Sequence, residues 1–147
     1  MIYSVGCEYG IRALARLASL APTGCFCLLR DILDGDQLPS HFVGKIFQVL
    51  VHEGVLMSAK GRGGGFALRQ PPEQITLRRI VNAIDGPDRT PHCFLGLKEC
   101  HERELSPSPC RCAEIREQFD ELLDTTTLAH LASHVERETV GKNVINR

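Results

Sequence analysis

Apolar positions recur at helical spacing along most of this chain and give way to short alternating runs only once. Ser4 is a residue type that caps helix N-termini, because its hydroxyl accepts an orphan backbone N–H. After it, Val5, Tyr9, Leu14, Leu17 and Ala18 repeat near every third or fourth position up to Pro22, which predicts one amphipathic helix. Beyond a turn at Gly24, Leu28 to Leu33 reads as a short helix closed by Asp34-Gly35-Asp36. Pro39 and Ser40 open a third helix, Ser40 to Glu53, stopped by Gly54. Its apolar side is Phe42, Val43, Ile46, Phe47, Val49 and Leu50, while Ser40, His41, Gly44, Lys45 and Gln48 face outward. Helix, tight turn and second helix make a helix-turn-helix pattern.

The period then changes. Val55 to Lys60 reads as a strand, Gly61 to Gly65 as a tip and Phe66 to Arg69 as the returning strand, a hairpin with Lys60 and Arg62 at its protruding end. The glycines match no phosphate-binding loop, since a strand rather than a helix follows them. Thr76 caps a fourth helix through Leu77, Ile80, Val81 and Ile84, ended by Gly86-Pro87. From Pro87 to Pro109 no period holds. Ser108 and Pro109 suit the cap and first position of an acidic helix with a stripe of Ile115, Phe119, Leu122 and Leu123, a stripe that asks for a partner. Thr127 caps a short last helix containing Leu128, Leu131 and Val135; on it His130 and His134, four apart, read as a solvated face rather than a metal pair.

Length narrows the function classes: 147 residues are about one ordinary domain, with no room for a large catalytic one. No Ser-His-Asp, paired-carboxylate or His-Glu-x-x-His arrangement is present, so an enzyme is not expected. No run approaches the roughly 18 to 20 apolar residues that span a bilayer, and the N-terminal segment lacks a basic region ahead of a separate apolar core. A soluble cytoplasmic protein without membrane contact is the expectation. The formal net charge of -1 conceals an asymmetry. Residues 40–80 carry six cations (Lys45, Lys60, Arg62, Arg69, Arg78, Arg79) against Glu53 and Glu73, whereas residues 113–138 carry seven carboxylates against Arg116 and Arg137. Only a docking face meets phosphates, so a basic middle and an acidic tail suit one half turned toward nucleic acid and one turned away.

Seven cysteines are many, and an odd number, for a chain expected in a reducing compartment; they suggest metal or redox chemistry rather than disulfides. Cys7, Cys25 and Cys27 lie in or near the helical core and read as buried small hydrophobes, Cys7 less securely than the other two. Cys93, Cys100, Cys110 and Cys112 lie in or beside the aperiodic stretch, where a loop can wrap thiolates around a soft metal. Zinc sites pair their cysteines two residues apart; here six, nine and one residues intervene, which favours an iron-sulfur cluster over zinc or over unligated thiols.

Gly54-Val55-Leu56, the hairpin with Gly61 and Gly64-Gly65-Phe66-Ala67-Leu68, then Ile75-Thr76-Leu77 and Ile80 through Gly86 resemble the winged-helix signature of the Rrf2 family of transcriptional regulators, and the resemblance covers nearly the whole chain. It implies a mainly α fold with a small β-hairpin: a winged helix-turn-helix DNA-binding domain over 1–86, a cluster-binding loop over 87–109, and a dimerisation helix with tail over 110–147. It implies a repressor acting as a homodimer on a palindromic double-stranded operator. Helix Ser40 to Glu53 would enter the major groove, with Ser40, His41, Lys45 and Gln48 at base edges or phosphates, and the wing with Lys60 and Arg62 would reach the minor groove. Cys93 to Cys100 and Pro109-Cys110 resemble the three-cysteine loop of the family's cluster-binding members, which implies a cluster, of 2Fe-2S or 4Fe-4S type, on Cys93, Cys100 and Cys110. The gap before Cys110 is longer than usual in the family, and Cys112 is an alternative third ligand. Where some members supply a histidine, Ala113 stands; other members use an acid near the start of the partner subunit's first helix, where Glu8 falls. Cys112, His101, His92 and Cys7 compete with Glu8 for that fourth place, and Glu8 alternatively pairs with Arg12 one turn on. Cluster state would then bias the spacing of two recognition helices that must lie about 34 Å apart. A cluster-free regulator answering through thiols, a small molecule or a partner protein is the alternative.

Overall fold

The computed structural model describes residues 2–87 and 112–135. In chain order it contains α1 (Val5–Leu20), α2 (Leu29–Ile32), α3 (Ser40–His52), β1 (Leu56–Ala59), β2 (Gly65–Leu68), a 3-10 turn at Pro72–Gln74, α4 (Leu77–Asp85) and α5 (Cys112–Thr125). A last helical stretch follows over 128–135. The described residues are thus mainly α with one small hairpin, as the periodicity predicts, and elements shift by only one or two residues at their ends. The expected helix start at Ser108-Pro109 lies outside the described residues.

Helices α1 and α4 begin at side-chain caps. The Ser4 hydroxyl accepts from the Cys7 N–H at 3.0 Å, and Thr76 Oγ1 accepts from the Arg79 N–H at 3.3 Å. Ser4 also ties the first helix to the fourth: its N–H donates to the Asp85 carboxylate at 2.7 Å and its hydroxyl donates to the same group. Gly10 lets α1 and α4 approach, since a Cβ there would stand 2.6 Å from Ile84 Cδ1 and 3.1 Å from Ile46 Cγ2.

One core lies between α1, α3, α4 and the hairpin, built from Leu14, Leu17, Ile32, Val43, Phe47, Leu50, Leu56, Leu68 and Ile80, all fully buried. Phe47 of α3 meets Phe66 of β2 edge to face, centroids 5.1 Å apart, and this holds α3 against the hairpin. The strands pair antiparallel from Leu56 opposite Leu68 to Ala59 opposite Gly65. Cys27 adds a third rung, exchanging backbone hydrogen bonds with Phe66 at 2.9 and 2.8 Å. That rung lies against Gly65, whose φ of +118° and lack of Cβ admit the Cys27 carbonyl.

A second, smaller core of Cys7, Leu77, Val81 and Leu123 holds α5 to α1 and α4. Arg78 reinforces it, bridging Asp120 at 2.9 Å and Asp124. The hydrogen bond from Arg78 holds the Asp124 carboxyl below the usual carboxylate range. This tie is therefore complete above ordinary carboxylate pKa values and is lost as pH falls through the lowered one. The chain after α5 then pairs with the entry to α4: the Leu77 N–H donates to the Thr126 carbonyl and the Leu128 N–H to the Ile75 carbonyl, both at 2.8 Å.

Two expectations about burial are corrected. Phe42 and Val49 do not join the buried side of α3; they are 43% and 42% exposed, at the edges of a helix whose buried sector is Val43, Ile46, Phe47 and Leu50. Phe42 instead stacks edge-on against Tyr9 at the rim. Among the core cysteines the order is reversed, for Cys7 is wholly buried beneath α4 and α5, whereas Cys25 is exposed and Cys27 half-buried on the segment that bridges to the wing.

Candidate DNA-binding face

Burial of Val43, Ile46, Phe47 and Leu50 sets the roll of α3 about its axis, and the opposite side stays open. Ser40, His41, Lys45 and Gln48 are all exposed there, so one helix face carries hydroxyl, imidazole, ammonium and amide within two turns. These four side chains form the rim of an open cleft of about 460 Å³ between α3 and the base of the wing. Its floor is Gly44, which the periodicity already placed on the outward face, with Leu29 and Phe66, which the sequence did not reveal. Leu29 comes to α3 with the packing of α2, and the Cys27–Phe66 rung and the Phe47–Phe66 contact bring in Phe66, long-range features that periodicity cannot show.

Lys60 and Arg62 are exposed at the tip of the hairpin, where the Gly64 N–H closes the turn on the Gly61 carbonyl at 3.1 Å. Of the six residues expected to meet DNA, four thus share the exposed face of α3 and two are exposed at the tip of the hairpin. Replacing both Lys60 and Arg62 with alanine is expected to weaken binding to every duplex and to lower the log–log salt slope by about two. Titration of duplex DNA at several salt concentrations checks this.

The residues expected to hold a metal are placed less completely. Cys93, Cys100 and Cys110, with His92 and His101, lie outside the described residues. Cys112 is the first residue of α5. Glu8 is exposed on the first turns of α1, and the surface pair with Arg12 does not form, because the Arg12 guanidinium binds Asp36 at 2.7 Å. Cys7 packs in the second core, away from solvent. Among the described residues no group of three or more His, Cys, Asp or Glu is arranged to hold a metal ion. The His130 and His134 rings serve the last helical stretch instead: His130 Nδ1 accepts from the Thr127 N–H at 3.2 Å, and His134 Nδ1 lies 2.8 Å from the His130 carbonyl oxygen.

The stripe on α5 is half used. Leu123 is buried against α4, but Ile115 and Leu122 are 49% and 50% exposed. No helix among the described residues is long and apolar enough to cross a membrane.

Comparison with known proteins agrees with this architecture. The sequence model of the Rrf2 family, described as iron-dependent transcriptional regulator, matches residues 3–134. The HTH-type transcriptional regulator CymR of Bacillus subtilis is 31% identical over 131 residues, covering 89% of each chain. The solved structure of CymR, described as the global cysteine regulator of B. subtilis, superposes with a TM-score of 0.71 at 26% identity, over 91% of this chain and 98% of that one. The structure of T. potens IscR shares the fold, with a TM-score of 0.64 at 21% identity, over 94% of this chain and 90% of that one.

Proposed function

Since the chain belongs to the Rrf2 family of transcriptional regulators, we propose that it is a repressor whose operator affinity is set by an iron-sulfur cluster on Cys93, Cys100 and Cys110. The observation that carries the DNA-binding part is the exposed row of Ser40, His41, Lys45 and Gln48 on α3 beside the cationic wing tip. A helix of this width enters the major groove, where those side chains meet base edges and phosphates, while Arg62 suits the negative minor groove. The half-exposed Ile115 and Leu122 of α5 support a homodimer, and two copies of α3 related by a twofold axis read a palindrome. The setting is the cytoplasm, where operator DNA is found.

The donor set fits a cluster. Three thiolates in the segment that follows α4 supply soft ligands, and Glu8 of the partner subunit is our choice for the fourth. Glu8 suits that role because Arg12 is committed to Asp36 and leaves the carboxylate open to solvent. Cys112 at the start of α5 is the alternative third ligand. When bound, the cluster supplies a centre that iron supply, oxidants or nitric oxide can alter. The residues of this chain do the rest: Asp85 clamps Ser4 where the cysteine-bearing segment leaves α4, and Arg78 holds α5 to the head. A change at the end of α4 is therefore coupled to the first turn of α1 through Asp85 and, along α4, to α5 through Arg78.

A second reading, a cluster-free thiol regulator, is favoured by the exposed Cys25 beside the wing. Its neighbour Cys27 is the poorer nucleophile, because burial, with Asp31 and Cys25 nearby, pushes its thiol pKa up. CymR, described as a cysteine regulator, is similar to this chain over most of its length. Anaerobic purification with visible absorption and iron and acid-labile sulfide assays separates the two. The cluster reading predicts charge-transfer bands with matching iron and sulfide, made labile by Glu8→Ala. A colourless, iron-free dimer that still binds DNA would favour the thiol reading.

A further inference from the structure

The cleft between α3 and the wing has a floor unlike its rim. Ser40, His41, Lys45 and Gln48 ring it with hydrogen-bonding groups, but Leu29, Phe66 and the bare backbone of Gly44 lie beneath them. Gly44 stands in the middle of the outward face, one turn after Ser40 and one turn before Gln48. A Cβ built there would meet Leu29 Cδ2 at 3.4 Å and no other atom within 4 Å. The recognition helix therefore carries a gap where a side chain would project toward a base, and the gap opens onto an apolar wall.

Base edges in the major groove offer donors and acceptors at every position, and one apolar group, the C5-methyl of thymine. A polar edge pressed onto Leu29 and Phe66 would lose water without gaining a partner, which is unfavourable. A methyl group gains from the same burial. We propose that Gly44 opens an apolar notch that seats a thymine C5-methyl, so that the protein requires thymine at one position of each half-site. The surrounding Lys45, Ser40 and Gln48 remain free to reach phosphates and the edges of adjoining bases. The notch is continuous with the rest of the α3 face and rests on the reading of α3 as the recognition helix.

The test starts by selecting an operator from a random duplex pool with the full-length, anaerobically purified protein. Each thymine is then replaced singly by deoxyuridine, which removes only the methyl, and affinity is measured by fluorescence anisotropy. One position per half-site is expected to weaken binding about fourfold when its methyl is removed, and about fifteenfold when both half-sites are changed. Gly44→Leu fills the notch with a strong helix former. It is expected to bring the thymine-to-deoxyuridine ratio to about one, with helical circular dichroism retained as the check on folding. A tightly bound selected operator that is indifferent to every methyl would overturn the notch and leave α3 as the recognition helix. Failure to enrich any sequence from the pool would overturn both.

Discussion

Gly65→Ala is expected to detach the wing from the head and to abolish tight operator binding while leaving the helices largely intact. At φ +118° an L side chain is strained, which alone costs about 1 to 3 kcal/mol. Space makes matters worse, because the new Cβ would run into the Cys27 carbonyl and lie 2.9 Å from the Leu28 nitrogen. Both are backbone atoms and cannot swing aside as the tip of a side chain would. The Cys27–Phe66 rung must open, with loss of two hydrogen bonds worth about 1 kcal/mol each. Phe66 would then no longer be held against Phe47, and Lys60 and Arg62 would lose their fixed position relative to α3. Denaturant titration should show a loss of about 3 kcal/mol or more, and anisotropy on the selected operator should show at least a tenfold loss. An unchanged wild-type midpoint would mean that the third rung contributes nothing.

Phe47→Ala is the larger blow to stability. Its ring is the largest of the fully buried side chains. Truncation of such a residue costs about 3 to 5 kcal/mol through lost transfer energy and the cavity left behind. In a protein of this size that corresponds to a melting temperature lower by roughly 10 °C or more. Phe42→Ala, on the same helix, provides the contrast. At 43% exposure, with Tyr9 as its ring partner, Phe42 should cost about 1 kcal/mol. Thermal unfolding of the two variants side by side checks the difference, and equal losses would mean that α3 is rolled differently about its axis.

That contrast also shows where reading the sequence stops. Periodicity locates the buried sector of α3 but not its margins, and Phe42 and Val49 sit at the margins, so they were expected inside and lie outside. The helix-turn-helix, the hairpin and its cationic tip were legible because each rests on local signals: caps, glycines and a switch from helical to alternating spacing. The cysteines misled because composition says only that a thiol tolerates burial, not which one is covered. Cys7 is covered by Leu77, Val81 and Leu123, residues far away in sequence. Arg12 likewise chose Asp36 over Glu8, four residues away, because the turn after α2 brings that carboxylate within 2.7 Å. The floor of the cleft was missed for the same reason. Its parts come from three elements, and Gly44, the part that matters most, announces itself in sequence only as an absent side chain.

If a cluster on the cysteines sets operator affinity, as proposed, the dissociation constant of the anaerobically purified protein for its selected operator should differ before and after cluster removal by chelation. A change of about 5- to 150-fold is expected, as a coupling of about 1 to 3 kcal/mol between two sites gives. No such change is expected in Cys93→Ser and Cys100→Ser proteins, whose affinity should match the cluster-free parent. Equal affinities for parent and variants under every redox condition would contradict control by a cluster.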